Sequence, residues 1–498
     1  MIKTKNDTSL INYSHDREAH YKVTADEIYN LINDFTDSEE LKIFYRYFEK
    51  NYKLPINVVK QTTRQYIARS YLFKSGKFNY KLHLKSIPKS ITKYCALFYA
   101  LIFAKFNNRE KKFKLIIDYV TSSGELKRFE KLLNLFGSNN VLCVTRDINL
   151  KHQFPKYQLH NKKAFRNINI LDLLKSIFVE FFYGIWIVLK ISVKNKVNLF
   201  PISLHIIQSY LTFKSLLNSN KAEYIIQEKH YNTEPIKNYL FKKLGGIAST
   251  SIQKNIIQVD PIFFYIDVDI LLTLGDDGYS RVREYGGRID HIKPVGSLFM
   301  EYSYFNKKKE NIKKFDIAIL GINTSNAYER LDSYNKFMDD YYSLYRWAAK
   351  LSLEKPELNI VSIHHSSAGE DKIEDDILMN SKVKTLDKNL NSYETAFSSK
   401  FAITYGSTMG YELNGHGLPT FFIDPVYRSP FLPDKGIEYI DNMRVDTYDS
   451  LSLLTKEILD KKNLQDIVGT NTNMWCLNSF DVSSRIYNHF VNQKKRNQ

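Results

Sequence analysis

Short apolar runs alternate with amphipathic stretches along most of this chain, and no other feature limits its fold so strongly. KLIIDYV from Lys114 reads as a strand, SSGELKRFEKLLNLFG as a capped helix with Ser122 and Glu125 as a capping box, and NVLCVT as the next strand. The rhythm resumes with AEYIIQEKHYN (222–232), the helix TEPIKNYLFKKLGG (233–246), the strand IASTSIQ, Ile266–Leu274, the helix DDGYSRVREYGG and the strand HIKPVGS. A charged stretch, NKKKENIKK (306–314), reads as a linker. Beyond it lie FDIAILGIN (315–323), a long helix over Tyr328–Leu351, ELNIVSIHHSS (357–367), a helix around Tyr393–Ser399 and further alternation. Parallel strands joined by helices need both sheet faces covered, so the expected fold is α/β, with two Rossmann-like doubly wound domains facing a cleft. Residues 1–105 read as a basic helical extension, 106–305 and 306–470 as the two domains, and 471–498 as a crossing helix.

The 498 residues suffice for several cores, and 43% hydrophobic with 25% charged residues is a globular composition. The net charge of +17 is unevenly placed: residues 51–200 carry 28 Lys and Arg against 7 Asp and Glu, so the remainder is slightly acidic. Such a region, rich in Tyr and Phe, points to an anionic partner, and a membrane surface is the expected one. No RNP, KH, zinc or helix-turn-helix signature accompanies it, so nucleic acid is not expected. The apolar run 170–193 contains Asp172, Lys175, Glu180 and Lys190, which disfavours a membrane span. A buried or membrane-lying helix fits better, with Trp186 and Lys190 suited to an interface. Three scattered cysteines and a polar N-terminus fit a reducing cytoplasm, and the expected location is peripheral on the inner face of the plasma membrane.

The stretch FAITYGSTMGYELNGHGLPTFFID (401–424) is the most informative locally. Phe401–Tyr405 reads as a buried strand, Gly406–Gly410 as a tight turn, Met409–Asn414 as a helix and Leu418–Ile423 as the next strand. A helix N-terminus with two hydroxyls and no bulk suits a phosphate, while the plainer reading makes Ser407 or Thr408 a helix cap.

On these residues the chain resembles the GT-B glycosyltransferases, and more narrowly the bacterial capsule and lipopolysaccharide transferases of the Kdo-transferase type. The shared segment is Ser407, Thr408, Gly410, Glu412, Gly417 and Pro419. The resemblance implies a nucleotide-sugar donor, a glycan or lipid-linked acceptor, and no resident cofactor or metal. Ser407, Thr408 and Gly410 would then hold the donor phosphates and Glu412 the ribose, with Asn323, Thr324 and Ser325 supplying further donors. His364 or His365 stands where related capsule enzymes have Lys-x-His-Pro, although both Lys and Pro are missing. His364 is assigned to the nucleotide sugar. Asp267-Val268-Asp269 forms a DxD at the start of an apolar strand, and GT-B enzymes generally do not depend on such a metal site. For an inverting enzyme the general base belongs to the first domain, where strand ends offer Asp118, Glu228, His230 and Asp276; QEKHYNTEP favours His230 and Glu228. The alternatives are a polyol-phosphate transferase of teichoic-acid type, a nucleotide-sugar 2-epimerase, a nucleic-acid-binding protein, or a catalytically dead scaffold of a polysaccharide assembly complex.

Overall fold

The computed structural model describes residues 17–71, 84–102, 110–145, 147, 149–150, 154, 156–161, 174, 178–227, 229–230, 233–255, 263–276, 283–305, 314–322, 334–365, 372–386, 391–425, 432, 438–460, 467 and 472–497. Two wholly parallel sheets organise them. The first consists of β1 (Lys111–Val120), β2 (Val141–Thr145), β3 (Gln158–Asn161), β4 (Asn220–Gln227), β5 (Ala248–Ile252), β6 (Asp267–Thr273) and β7 (Arg288–Pro294). Its spatial order is β3-β2-β1-β4-β5-β6-β7. The second consists of β8 (Phe315–Leu320), β9 (Ile360–Ile363), β10 (Lys384–Thr385), β11 (Ser399–Thr404), β12 (Thr420–Ile423) and β13 (Arg444–Val445), in the order β10-β9-β8-β11-β12-β13.

Both sheets therefore start in the middle, wind outward one way, and return to wind outward the other way. This is the doubly wound Rossmann order, and it fixes one switch point per sheet. In the first sheet the switch lies between β1 and β4, where Ile117 stands beside Ile226. In the second it lies between β8 and β11, where Leu320 stands beside Thr404. The central strands are apolar because both faces are covered: Ile116, Ile117, Ile225, Ile226, Ile317, Ile319 and Ile403 are all fully buried.

The helices before β1 share a core with the first sheet. Phe44, Phe48 and Val59 pack in one cluster with Phe200 and Ile206 of the helix Phe200–Ser219 and with Ile225 of β4. Gln65 extends this union by donating to the Tyr265 carbonyl at 2.6 Å and the Thr233 hydroxyl at 3.1 Å.

The chain passes between the domains twice. It leaves the first at Val295–Met300, and returns through residues 472–481 into the helix Val482–Asn497. That helix packs on the first domain, with Phe490 stacked on Tyr224 at 4.3 Å. The two crossings touch: Ser297 donates its N–H to Ser479 Oγ at 2.9 Å, and a Cβ on Gly296 (φ 89°) would lie 2.7 Å from the Leu477 carbonyl oxygen.

Candidate functional site

Ligands of doubly wound sheets bind outside the carboxyl ends of the strands, at the switch point. In the first sheet that place holds the end of β1 and the helix Ser123–Arg128. Ser122 caps this helix, its hydroxyl accepting the Glu125 N–H at 3.2 Å. The Glu125 carboxylate accepts in return from the Thr121 N–H at 2.6 Å, one residue from the partner of an ideal capping box. Its other oxygen lies 3.4 Å from Lys229 Nζ, just beyond β4. Burial raises the Glu125 pKa, but the Thr121 donors together with Lys229 and Lys254 bring it below the usual carboxylate range.

Lys254 follows β5, where its N–H is accepted by His230 Nδ1 at 3.1 Å. Its charge acts on Glu125 and His230 of the first domain, and also on His365 of the second. Lys229 and Lys254 are thus the basic residues just beyond the carboxyl ends of β4 and β5. His365 lies just past β9, and its pKa is lowered by burial, with Glu374 opposing and Lys254 adding to the shift. Sequence reasoning passed over Lys229 and Lys254 because single basic residues after strands carry no spacing signal; His365 was named beside His364, which was the one assigned, and Glu125 was seen only as a cap.

The expected residues fall into distinct places. His230 is wholly buried, stacked on Phe263 at 5.2 Å, and its Nδ1 accepts the Lys254 N–H at 3.1 Å. Burial and Lys254 push its pKa down to about 3. A ring so weakly basic, with Nδ1 already accepting a proton donor, holds the Lys254 loop and is a poor general base, which corrects its expected role. Glu228, Asn323, Thr324 and Ser325 lie outside the described residues. Asp118 is buried and paired with Lys237 under the sheet, and Asp276 is exposed beside the returning chain, its N–H donating to the Asn473 carbonyl at 3.0 Å. His364 is engaged within the second domain, with Nδ1 2.6 Å from Glu374 and Nε2 3.4 Å from Asp375.

At the second switch point, Thr404 Oγ1 donates to the Leu320 carbonyl at 2.9 Å and accepts the Ser407 N–H at 3.0 Å. This clamps the turn to the end of β8. Ser407 occupies the N-cap position of the helix Thr408–Gly415, yet its hydroxyl makes no capping bond. Ser407 and Thr408 are half-buried at the strand ends. Gly410 faces inward: a Cβ there would stand 3.1–3.3 Å from Thr404, Thr420 and Phe422 side-chain atoms. Its smallness serves close packing of helix on sheet.

Glu412 lies on the domain junction. It is buried, and its two oxygens accept from the Ser297 hydroxyl and the Tyr393 hydroxyl. Burial raises its pKa to about 7, against the opposing influence of those hydroxyls and Arg128. Both oxygens are thus occupied by groups of the protein itself, which places it away from the ribose role expected of it. The DxD is accounted for by ion pairing. Arg288 contacts Asp267 at 2.6 Å and Asp269 at 3.0 Å, and Lys242 reaches Asp269 at 3.1 Å. Among the described residues no group of three or more His, Cys, Asp or Glu is arranged to hold a metal.

The two facing Rossmann-like domains define a GT-B-like arrangement. No family model matches the sequence, and no curated protein matches it. Solved structures with a similar course of chain include a UDP-GlcNAc 2-epimerase from Neisseria meningitidis bound to UDP-GlcNAc, at 9% identity, 77% of this chain, 100% of that one and a TM-score of 0.42. The lipopolysaccharide outer core galactosyltransferase WaaB, in its apo form, shares 12% identity over 77% of this chain and 100% of its own, with a TM-score of 0.42. An O-GlcNAc transferase mutant from Thermobaculum terrenum shares 10% identity over 94% of this chain and 84% of its own, with a TM-score of 0.38. Likeness at this level concerns the course of the chain; the chemistry of the site rests on the residues above.

Proposed function

We propose that this protein is a glycosyltransferase, moving a sugar from a nucleotide-sugar donor to a growing bacterial surface polysaccharide or lipid-linked glycan. One observation carries the reading: Lys229, 3.4 Å from Glu125, and Lys254, whose N–H is held by His230 at 3.1 Å, stand beyond β4 and β5 beside the first switch point. The ammonium groups of Lys229 and Lys254 and the helix start at Ser407–Thr408 are the groups a departing phosphate needs as negative charge develops on it. Glu125, held ionised, keeps Lys229 in place.

Calorimetric titration with CMP, UDP, GDP and CDP tests this. One of the four is expected to bind, and Lys254→Met to weaken it by about tenfold or more, the effect of losing a charge-assisted contact. Glu412→Gln should leave affinity unchanged. If none binds, or if Lys254→Met binds like the parent, the assignment of the cleft fails.

A nucleotide-sugar 2-epimerase is the second reading, favoured by one feature. Glu125, ionised beside Lys229, and His365, whose basicity burial lowers, are acid–base groups of the kind such a reaction draws on. Incubating the bound nucleotide sugar in deuterated water without acceptor separates the two. Deuterium at C2 means epimerisation; an unlabelled sugar that moves only when an acceptor is added means transfer.

A further inference from the structure

The helical segment from Phe178 to Asn195 is inverted relative to an ordinary surface helix. Phe178, Tyr183, Trp186, Lys190, Val193 and Lys194 come to the outer side of this segment, whose Glu180–Gly184 turn is a π-helix. All six are exposed, with Phe178 66%, Trp186 65% and Val193 58% accessible. The opposite arc is buried and holds a carboxylate, Glu180, which accepts from the Tyr47 and Tyr52 hydroxyls. Gly184 lets Glu180 fold back there, since a Cβ on Gly184 would lie 2.5 Å from the Tyr47 hydroxyl. The segment thus buries its acid and presents its aromatic residues outward, where water is the poorest solvent for them.

The helix Glu39–Tyr52 widens this face. Glu40 pairs with Lys194 at 2.9 Å and Tyr47 packs on Tyr183 at 5.8 Å, so Ile43, 54% exposed, lies between those two contacts beside the stripe. Cations border the apolar residues: Lys190 and Lys194 on the helix and Lys196 just past it are exposed. The following helix, Phe200–Ser219, delivers the chain to the start of β4 and packs on the sheet. Its first turn, and with it the end of the stripe, therefore sits at the level of the strands' carboxyl ends, where the cleft lies.

We propose that this face is a membrane-docking surface, lying in the interface of an anionic bilayer. Phe178, Tyr183, Trp186, Val193 and Ile43 enter the headgroup–acyl boundary while Lys190, Lys194 and Lys196 meet lipid phosphates. The occupant is a lipid surface and not a second protein, because apolar and aromatic residues are flanked by cations in a segment (51–200) that holds 28 basic against 7 acidic residues. Among the described residues no helix is long and apolar enough to cross the membrane, which agrees with lying on it. The proposal stands independently of the transfer chemistry.

Vesicle co-sedimentation of the full chain tests it, with phosphatidylglycerol–phosphatidylcholine and pure phosphatidylcholine vesicles at low and high salt. The parent should bind the anionic vesicles and release with salt. The double variant Phe178→Ser, Trp186→Ser should lose about tenfold or more in partition while keeping its melting temperature, since both side chains are exposed. Lys190→Glu should weaken binding to anionic vesicles only. Equal binding of parent and double variant overturns the proposal, as does equal binding to both lipids. A parent that ignores vesicles but sediments as a dimer, which the double variant converts to monomer, would assign the face to a second copy.

Discussion

Glu412 shows how far a single residue's environment can depart from what its neighbours in sequence imply. One turn beyond Thr408, it has the spacing of a nucleotide contact, yet its partners Ser297 and Tyr393 come from 115 and 19 residues away. Its pKa, pushed up to about 7 by burial, has a consequence for stability. The native state holds the proton more tightly than the unfolded chain, whose carboxyl keeps its ordinary value of 4.5. The stabilising contribution is complete below about 4.5 and is lost as pH rises through about 7, amounting to about 3 kcal/mol. Urea denaturation at about pH 5 and about pH 8 should show the parent losing stability over this window, and Glu412→Gln largely flat. A parent with no loss would mean that Glu412 is ionised throughout. The cleft residues were hard to see in the sequence for the same reason. Lys229 and Lys254 are recognisable only once β4 and β5 set them beside Glu125 and His230, whereas the Ser122–Glu125 cap lies within four consecutive residues and was legible.

Among the elements, the turn between β11 and the helix Thr408–Gly415 was the best specified, because strand, turn, helix and strand follow one another without interruption. The aspartate closing that stretch also finds its explanation. Asp424 sits at the end of β12 and pairs with Arg444 of β13 at 3.0 Å, both side chains being buried. A strand of two residues held by an ion pair has no apolar alternation to betray it, so β13 and β10 were invisible in the sequence. The same turn yields a pair of opposed expectations. Gly410→Val should cost about 1–3 kcal/mol by overpacking the helix against Thr404, Thr420 and Phe422, read as a lowered melting temperature. Ser407→Ala should leave the melting temperature nearly unchanged, since no capping bond is lost, and should weaken nucleotide binding. A melting temperature that falls for Ser407→Ala but not for Gly410→Val would reverse both assignments.

At the scale of the molecule, the two-sheet plan was legible because fully buried parallel strands read as continuous apolar runs. The doubly wound course was expected as well, but the strand at which each sheet reverses was not, since local sequence does not say when the chain will return to the other side of β1. The union of the N-terminal helices with the first sheet was equally hidden, resting on distant pairs such as Gln65 with Tyr265. The two crossings between the domains have a consequence for how the molecule is made. The chain leaves the first domain at Gly296 and re-enters it at Leu477, where the two points touch. Topologically, the second domain is a parenthesis opened and closed within the first. As the chain emerges from the ribosome, every strand of the second sheet is available before the helix Val482–Asn497, which covers Phe136 and Tyr224 of the first. Ribosome-bound chains ending at residue 481 and followed by a linker long enough to clear the exit tunnel should therefore resist pulse proteolysis in the second domain and remain cleavable in the first, which seals only when that helix arrives. The domain that is begun first is finished last.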